Sequence, residues 1–275
     1  MPERWAFSLV VVTMLSSVHR CNVVENVASP EGRVVGSEQI EVTQSDLPYV
    51  CSLRLQTGRH RCCATILNPN WLLTSGHCTA DLAPDAIAIV CGIRMYRIVS
   101  AVVPHPNFDA SQWTGHDLAL LRTRNALIFT SNVQPLPLYD GSELPAGGKA
   151  SIVGYAWFRY GDESGSKWRN PALQMATVPI LSSCECQQRL GPMLSTYLAD
   201  VNICTDNAPA TLPTVDGTST CVGDSGAPVM IATELQPYNL FAIPSWTVAP
   251  CGAGPSVHVR VAPHLDWILT TIGIN

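Results

Sequence analysis

Three short segments of the sequence carry side chains that could together hydrolyse an acyl bond. They are Gly223-Asp-Ser-Gly-Ala-Pro228, Leu73-Thr-Ser-Gly-His-Cys78 and His116-Asp-Leu-Ala-Leu-Leu121, which supply Ser225, His77 and Asp117. Hydrolysis by a serine needs its hydroxyl, an imidazole that takes the proton and a carboxylate that orients the imidazole. A tight glycine turn can also aim backbone N–H groups at an oxyanion. Each segment alone is as well explained by a turn, a packed histidine or a strand edge, but their joint occurrence favours catalysis.

The elements that must position these side chains are predicted to be β-strands. Runs rich in β-branched or aromatic residues, bounded by Gly and Pro, recur at the spacing of an all-β barrel or sandwich. The clearest runs are 49–55, 87–90, 96–103, 150–153, 174–180, 228–231 and 257–261. Helical spacing of apolar residues is found only near the end of the sequence, at Leu265, Ile268, Leu269 and Ile272. A Pro-rich stretch at 134–148 is placed to connect two halves of roughly 100 residues each.

Composition and charge exclude several classes of partner. The 275 residues are 47% hydrophobic and 13% charged, which disfavours disorder. Sixteen basic against 21 acidic residues give a net charge of −5, the wrong sign for a phosphate backbone, so we expect no nucleic-acid partner. A charged start at 1–4 and an apolar run at 5–18 are typical of a signal peptide, and the run is too short to span a bilayer comfortably. We therefore predict a signal peptide over about 1–18 and no membrane partner.

Eleven cysteines indicate disulfides formed in an oxidising compartment. They lie at 21, 51, 62, 63, 78, 91, 184, 186, 204, 221 and 251, without the paired CxxC steps of a zinc site. Together with the leader, they predict a secreted, extracellular protein.

The order of the three segments, in an all-β chain with these cysteines, resembles the trypsin/chymotrypsin-type serine proteases of peptidase family S1 over nearly all of residues 33–275. The resemblance implies two six-stranded antiparallel β-barrels, the first over about 34–140 and the second over about 141–260, with a C-terminal helix at about 262–273. It implies that Ser225 is the nucleophile and that His77 is the general base and then the general acid. Asp117 would fix the imidazole tautomer, and the N–H groups of Gly223 and Ser225 would form the oxyanion hole.

The resemblance also implies an inactive precursor. Gly32-Arg-Val-Val-Gly36 resembles the activation junction of the family, with a propeptide over 19–33 that ends at Arg33. Cleavage there would free the Val34 ammonium to pair with Asp224. Before cleavage, members of the family hold that acid on a histidine and a serine, and His60 and Ser52 occupy the matching places. The alternative for His60 is an ordinary strand residue.

The residues that match the primary specificity pocket imply a preference for uncharged side chains. Ser219 stands where trypsin-like members carry an aspartate, so nothing at the base would pair with a substrate Lys or Arg. Thr247 and Ser256 take wall positions that are glycine in open pockets, which implies a shallow, elastase-like site for Ala, Val or Leu. If these two side chains turn aside, chymotrypsin-like cleavage is the alternative. Ser245, Trp246 and Thr247 resemble the strand that pairs with the substrate backbone.

Several positions depart from the family pattern. Ser75-Gly76 replaces a pair of alanines before the histidine, Ala227 replaces a glycine, and Tyr155-Ala156 replaces Trp-Gly near the activation region. A side chain at 156 could loosen the active conformation if that backbone needs positive φ. The segment after Cys91 is too short and too poor in acids to form the calcium loop of the family, so we expect no metal.

The resemblance implies disulfides between Cys62 and Cys78, between Cys221 and Cys251, and between Cys204 and either Cys184 or Cys186. The cysteines without a standard partner in the first barrel map to neighbouring strands, which favours one extra bridge among Cys51, Cys63 and Cys91. Cys21 falls in the leader or propeptide, where it is either removed or tethers the propeptide after cleavage.

The function predicted from these observations is that of a secreted serine endopeptidase. Its partners would be protein or peptide substrates, an activating trypsin-like protease and protein inhibitors, and the chain would be a monomer without a cofactor. The alternative is a catalytically weak or inactive homologue that acts as a binding protein. A lipase or esterase is a third option, but residues 223–227 narrowly miss the Gly-x-Ser-x-Gly pattern, and the order of the triad is reversed.

Overall fold

Six strands from the first half of the chain close into an antiparallel barrel. The computed structural model describes residues 40–111, 115–141, 148–155, 173–207, 218–249 and 251–273, so the predicted signal peptide, the propeptide and Ala156 lie outside it. A short strand, β1 (Ile40–Val42), precedes the barrel. The barrel strands are β2 (Val50–Leu55), β3 (His60–Ile66), β4 (Trp71–Thr74), β5 (Ile87–Cys91), β6 (Met95–Pro104) and β7 (Ala119–Thr123), paired in the order β2-β3-β4-β7-β6-β5.

Six strands from the second half close in the same way. They are β8 (Lys149–Gly154), β9 (Leu173–Leu181), β10 (Asn202–Thr205), β11 (Val229–Ile231), β12 (Asn239–Thr247) and β13 (Ser256–Arg260). The order is β8-β9-β10-β13-β12-β11, and β11 pairs with β8 again. Strand β1 precedes the first barrel in sequence but pairs with β9 of the second. The predicted fold of two six-stranded antiparallel barrels is confirmed.

The two barrels pack through strands that are buried on both faces. On β4, Leu72 lies in the core of the first barrel, while Leu73 joins a cluster that includes Met230 and Ile243 of the second. On β7, Leu121 lies in the core of the first barrel and Leu120 lies in the shared cluster, because successive side chains of a strand point to opposite faces. Burial of each such side chain contributes about 2 kcal/mol. Strand β7 begins two residues after Asp117, so its burial on both faces fixes the backbone that carries this carboxylate.

Two α-helices accompany the barrels within the described ranges. The C-terminal helix α2 (Leu265–Ile272) was predicted, and it ends at Gly273 in the left-handed conformation with φ 78°. Helix α1 (Ser183–Leu194) was missed, since Gly191 with φ 73° and Pro192 interrupt its pattern. Its start could have been found from the capping box formed by Ser182 and Glu185. Neither helix is long and apolar enough to cross a membrane, nor is any other helix in these ranges.

Disulfides join neighbouring elements of both barrels. The structure pairs Cys51 with Cys91, Cys62 with Cys78, Cys186 with Cys204, and Cys221 with Cys251. Of the two alternatives for Cys204, Cys186 is therefore the partner, and Cys184 is disulfide-bonded separately. The extra bridge joins β2 to β5 and leaves Cys63 as a free, buried thiol. Cys21 lies outside the described residues.

Candidate active site

His77 lies in a short 3-10 turn that directly follows the buried strand β4. The Cys62–Cys78 disulfide ties this turn to β3. The Ser75 hydroxyl donates to the Pro244 carbonyl of the second barrel at 2.6 Å. Gly76 leaves room for a neighbouring ring, since a Cβ there would lie 2.9 Å from Phe108 Cδ1. The departure of Ser75-Gly76 from the family pattern therefore has a structural reason.

Asp117 holds the imidazole of His77 through both carboxylate oxygens. Its Oδ2 lies 2.7 Å from His77 Nδ1, and its Oδ1 accepts from the backbone N–H of His77 at 2.8 Å. The Ser245 hydroxyl donates to Oδ2 at 2.6 Å. Because a carboxylate only accepts, the neutral imidazole carries its proton on Nδ1 and keeps a lone pair on Nε2. Ser245, predicted as a pocket residue, thus also positions Asp117.

Ser225 lies in a tight turn that is anchored at its backbone. Gly223 and Gly226 on either side adopt φ of 97° and 85°. The Ser225 carbonyl accepts from the backbone N–H of Cys63 at 2.7 Å. Among the described atoms, Ser225 Oγ makes no hydrogen bond to His77 Nε2, which lies 3.6 Å from Cys78 Sγ. Catalytic hydrogen bonds often form only when substrate binds, so the absence of this bond is compatible with a catalytic Ser225.

His60 and Ser52 support the Gly223 carbonyl. The Ser52 hydroxyl lies 2.8 Å from His60 Nδ1, and His60 Nε2 donates to the Gly223 carbonyl at 3.0 Å. Burial lowers the pKa of His60, which keeps the ring neutral near pH 7. The resemblance implied that this pair would hold Asp224. The structure directs the Nε2 proton to the carbonyl of Gly223, the residue before Asp224.

Asp224 is a buried carboxylate held by two backbone groups. Its oxygens accept from the N–H groups of Tyr155 at 3.0 Å and Cys221 at 2.9 Å. Gly154 is needed beside it, because any Cβ there would overlap the carboxylate. No Lys, Arg or His of the described ranges forms a salt bridge with it. Burial raises the pKa of Asp224 to about 7, against the opposing effect of the two hydrogen bonds. The environment thus favours either a proton or a cationic partner.

The contribution of Asp224 to the stability of the uncleaved chain is expected to fall as the pH rises from about 4 to about 7. The pKa of Asp224 is about 7 in the fold and near its ordinary 3.8 when unfolding exposes it. Between these values the folded state holds a proton on Asp224 that the unfolded state has released, so the contribution of this group to the free energy of unfolding decreases with pH. The two pKa values differ by an amount equivalent to roughly 4 kcal/mol.

Urea unfolding of the uncleaved chain at pH 4, 5, 6 and 7 measures this effect. Asp224→Asn is the matched control, because it removes the titrating group and leaves every other one in place. The free energy of unfolding of the wild type, relative to that of the variant, should fall as the pH rises from 4 to 7. Equal pH dependence in the two proteins would contradict the burial argument.

The residues that match the pocket lie together. Thr247 and Ser256 are direct partners in the β12–β13 ladder, and their hydroxyl oxygens are 3.2 Å apart. The fully buried Ser256 also accepts from the backbone N–H of Thr220 at 3.1 Å. Ser219 precedes this threonine, and its hydroxyl donates to the Thr220 carbonyl. Trp246 packs against the cluster around the Cys186–Cys204 bridge. The two wall side chains therefore meet each other across the ladder.

Comparison with known proteins finds a matching family and a curated relative. The family model described as Trypsin matches residues 34–268. Serine proteinase stubble of Drosophila melanogaster is 27% identical over 279 aligned positions, which cover 94% of this chain. The same alignment covers 33% of that protein, so the chain spans about a third of the length of its relative.

Proposed function

Because this chain belongs to the trypsin family, with residues 34–268 matched, we propose that it is a serine endopeptidase acting on protein or peptide substrates. Membership of this family supports a hydrolase. The observation that carries the proposal is the His77–Asp117 pair at 2.7 Å, held in the tautomer that leaves Nε2 free to accept a proton. Ser225 in its glycine turn supplies the nucleophile.

The reaction follows from these positions. His77 Nε2 takes the Ser225 proton as Oγ attacks the substrate carbonyl, and Asp117 stabilises the imidazolium that forms. The N–H groups of Gly223 and Ser225 would bind the developing oxyanion. His77 then gives the proton to the leaving amine, and water releases the acyl group by the same steps in reverse.

We also propose that the enzyme is secreted and made as a precursor. A signal peptide over about 1–18 and a propeptide over 19–33 would precede the protease domain at 34–275. The disulfides of both barrels support an oxidising, extracellular compartment. Cleavage after Arg33 by a trypsin-like protease would supply the Val34 ammonium. The buried Asp224, with its pKa raised to about 7, is suited to such a partner.

Labelling with a fluorophosphonate probe tests this function. After cleavage at Arg33 by immobilised trypsin, with N-terminal sequencing to verify a new Val34, the chain should react with the probe at Ser225. Ser225→Ala should abolish the labelling, because it removes the nucleophile. Arg33→Gln should stay uncleaved and unlabelled, which separates activation from the chemistry. A correctly cleaved wild-type chain that fails to label would contradict the proposal.

One observation favours a second candidate, a binding protein without catalytic activity. His77 Nε2 lies beside Cys78 Sγ rather than in a hydrogen bond with Ser225 Oγ. If this arrangement persisted after cleavage, the serine would lack its base. Retention of a partner together with absent labelling would identify this case.

A further inference from the structure

Three histidines from distant parts of the chain lie together beside the candidate active site. His105 follows β6, His116 directly precedes Asp117, and His264 lies in the turn before α2. One nitrogen of each lies within 4.8 Å of those of the other two. The proposed hydrolysis uses none of these rings. We infer that this cluster, the histidine triplet, binds a divalent transition-metal ion such as Zn²⁺, for which imidazole nitrogen is a preferred ligand.

The hydrogen bonds of His264 prepare it as a ligand. Its Nδ1 lies 2.8 Å from the Arg260 carbonyl oxygen, which can only accept, so Nδ1 carries the proton. The lone pair is therefore on Nε2, which faces the triplet at 2.9 Å from His116 Nδ1. Metal-bound histidines usually donate their other N–H to a carbonyl or carboxylate in this way.

Two of the three rings are buried, which favours their neutral, metal-binding form. His105 and His264 are 8% and 2% exposed. His116 is half-buried, which leaves a path for an ion and for a water ligand.

Binding requires a small rearrangement. Zn–N bonds of about 2.0–2.1 Å in a tetrahedral site place two nitrogens about 3.3 Å apart, so the pair at 2.9 Å must open by about 0.4 Å. The rings of His105 and His116 are stacked with planes 6° apart, and one must rotate to point at a shared ion. The His116 ring can do so at its half-exposed position, with its proton moved from Nδ1 to Nε2. His105 Nδ1 accepts only a long bond of 3.2 Å from the Asn107 N–H, which a rotation can give up.

The position of His116 couples the triplet to the triad. His116 and Asp117 share a peptide bond, and Asp117 holds His77 through two hydrogen bonds. A His116 ring held by a metal would constrain the backbone that also carries Asp117. Metal binding is therefore expected to slow the reaction of Ser225. This second step rests on the proposed function, whereas the binding itself does not.

Isothermal titration of the uncleaved chain with ZnCl₂ tests the binding without any need for catalysis. We expect one Zn²⁺ per chain and at least a tenfold weaker Kd in both His116→Asn and His264→Phe. Thermal unfolding checks that the buried His264→Phe variant is folded, and the half-exposed His116→Asn variant gives an independent result. His77→Ala controls for a metal held by the triad and should bind as wild type does. Absence of binding overturns the inference, as does binding that is lost in His77→Ala but kept in the triplet variants.

Probe labelling of the cleaved chain tests the coupling. Saturating Zn²⁺ should slow labelling of Ser225 at least tenfold, and His116→Asn should remove most of that sensitivity when each protein is compared with its own metal-free rate. An unchanged rate with Zn²⁺ bound would overturn the coupling. Absent labelling without Zn²⁺ would count against the proposed function, and the titration would still decide the metal site.

Discussion

Replacing Asp117 by Asn is expected to lower kcat of the activated chain by a factor on the order of 10⁴, the loss typical of the serine-protease triad. The carboxylate accepts from His77 Nδ1, from the His77 backbone N–H and from the Ser245 hydroxyl. An amide offers a single acceptor oxygen, so its NH₂ group must face a donor. The imidazole then turns to the tautomer with its proton on Nε2, which can no longer accept the Ser225 proton.

Ser245→Ala is the graded control for this prediction. It removes one donor at 2.6 Å and leaves the charge of Asp117 in place. A hydrogen bond to a charged group contributes about 1.5–3 kcal/mol, so this variant should lose roughly 10- to 100-fold in kcat. The kcat values of Asp117→Asn and Ser245→Ala are measured with a chromogenic peptide after verified cleavage at Arg33. Asp117→Asn with more than a tenth of wild-type kcat would rule out the proposed role of the carboxylate.

The second large effect concerns the residue before the cleaved bond. The activated enzyme is expected to cleave after Ala, Val or Leu on the order of 10³ times faster than after Arg or Lys, because Ser219 offers no charge to a buried cation and an unpaired one costs several kcal/mol. The ladder contact between Thr247 and Ser256 should also narrow the site for aromatic rings. A peptide library read as relative kcat/KM measures both expectations.

Substitutions within the pocket separate the effect of charge at its base from the effect of its width. Ser219→Asp should raise cleavage after Arg and Lys relative to wild type. Thr247→Gly combined with Ser256→Gly should raise cleavage after Phe and Tyr. Efficient cleavage after Arg by the wild-type enzyme would refute the argument from charge. A wild-type preference for aromatic residues would mean that the wall side chains leave the space open, as in chymotrypsin-like pockets.

The strands and the triad segments were predictable because their signals are local, whereas the two closed barrels were implied by the resemblance to the family. Runs of β-branched residues indicate strands, and each triad residue lies in a contiguous motif beside a glycine, a cysteine or a buried strand. Strand β7 illustrates this, since the apolar run after Asp117 indicates burial on both faces. Helix α1 was missed because Gly191 and Pro192 break the helical spacing.

Features that depend on contacts between distant segments were not predictable. The need for glycine at position 76 is explained only by the neighbouring ring of Phe108. The hydrogen bond of His60 Nε2 is explained only by the position of the Gly223 carbonyl. The choice of Cys186 over Cys184 depends on which side of α1 faces β10. The histidine triplet joins residues that are 11 and 148 positions apart, without any motif. No propensity or spacing rule brings such residues together, because tertiary packing decides their neighbours.

Strand β1 limits where a new N-terminus could go. Three register pairs, from Ile40 with Met175 to Val42 with Leu173, hold β1 on β9. Cleavage after Arg33 would leave six residues between the new amine and this anchor, a reach of at most about 20 Å. One molecule confined to a sphere of that radius has an effective concentration of roughly 50 mM. Activation would therefore be insensitive to dilution of the protein. A free peptide beginning Val-Val-Gly would need a similar concentration, roughly 50 mM, to replace the tethered end.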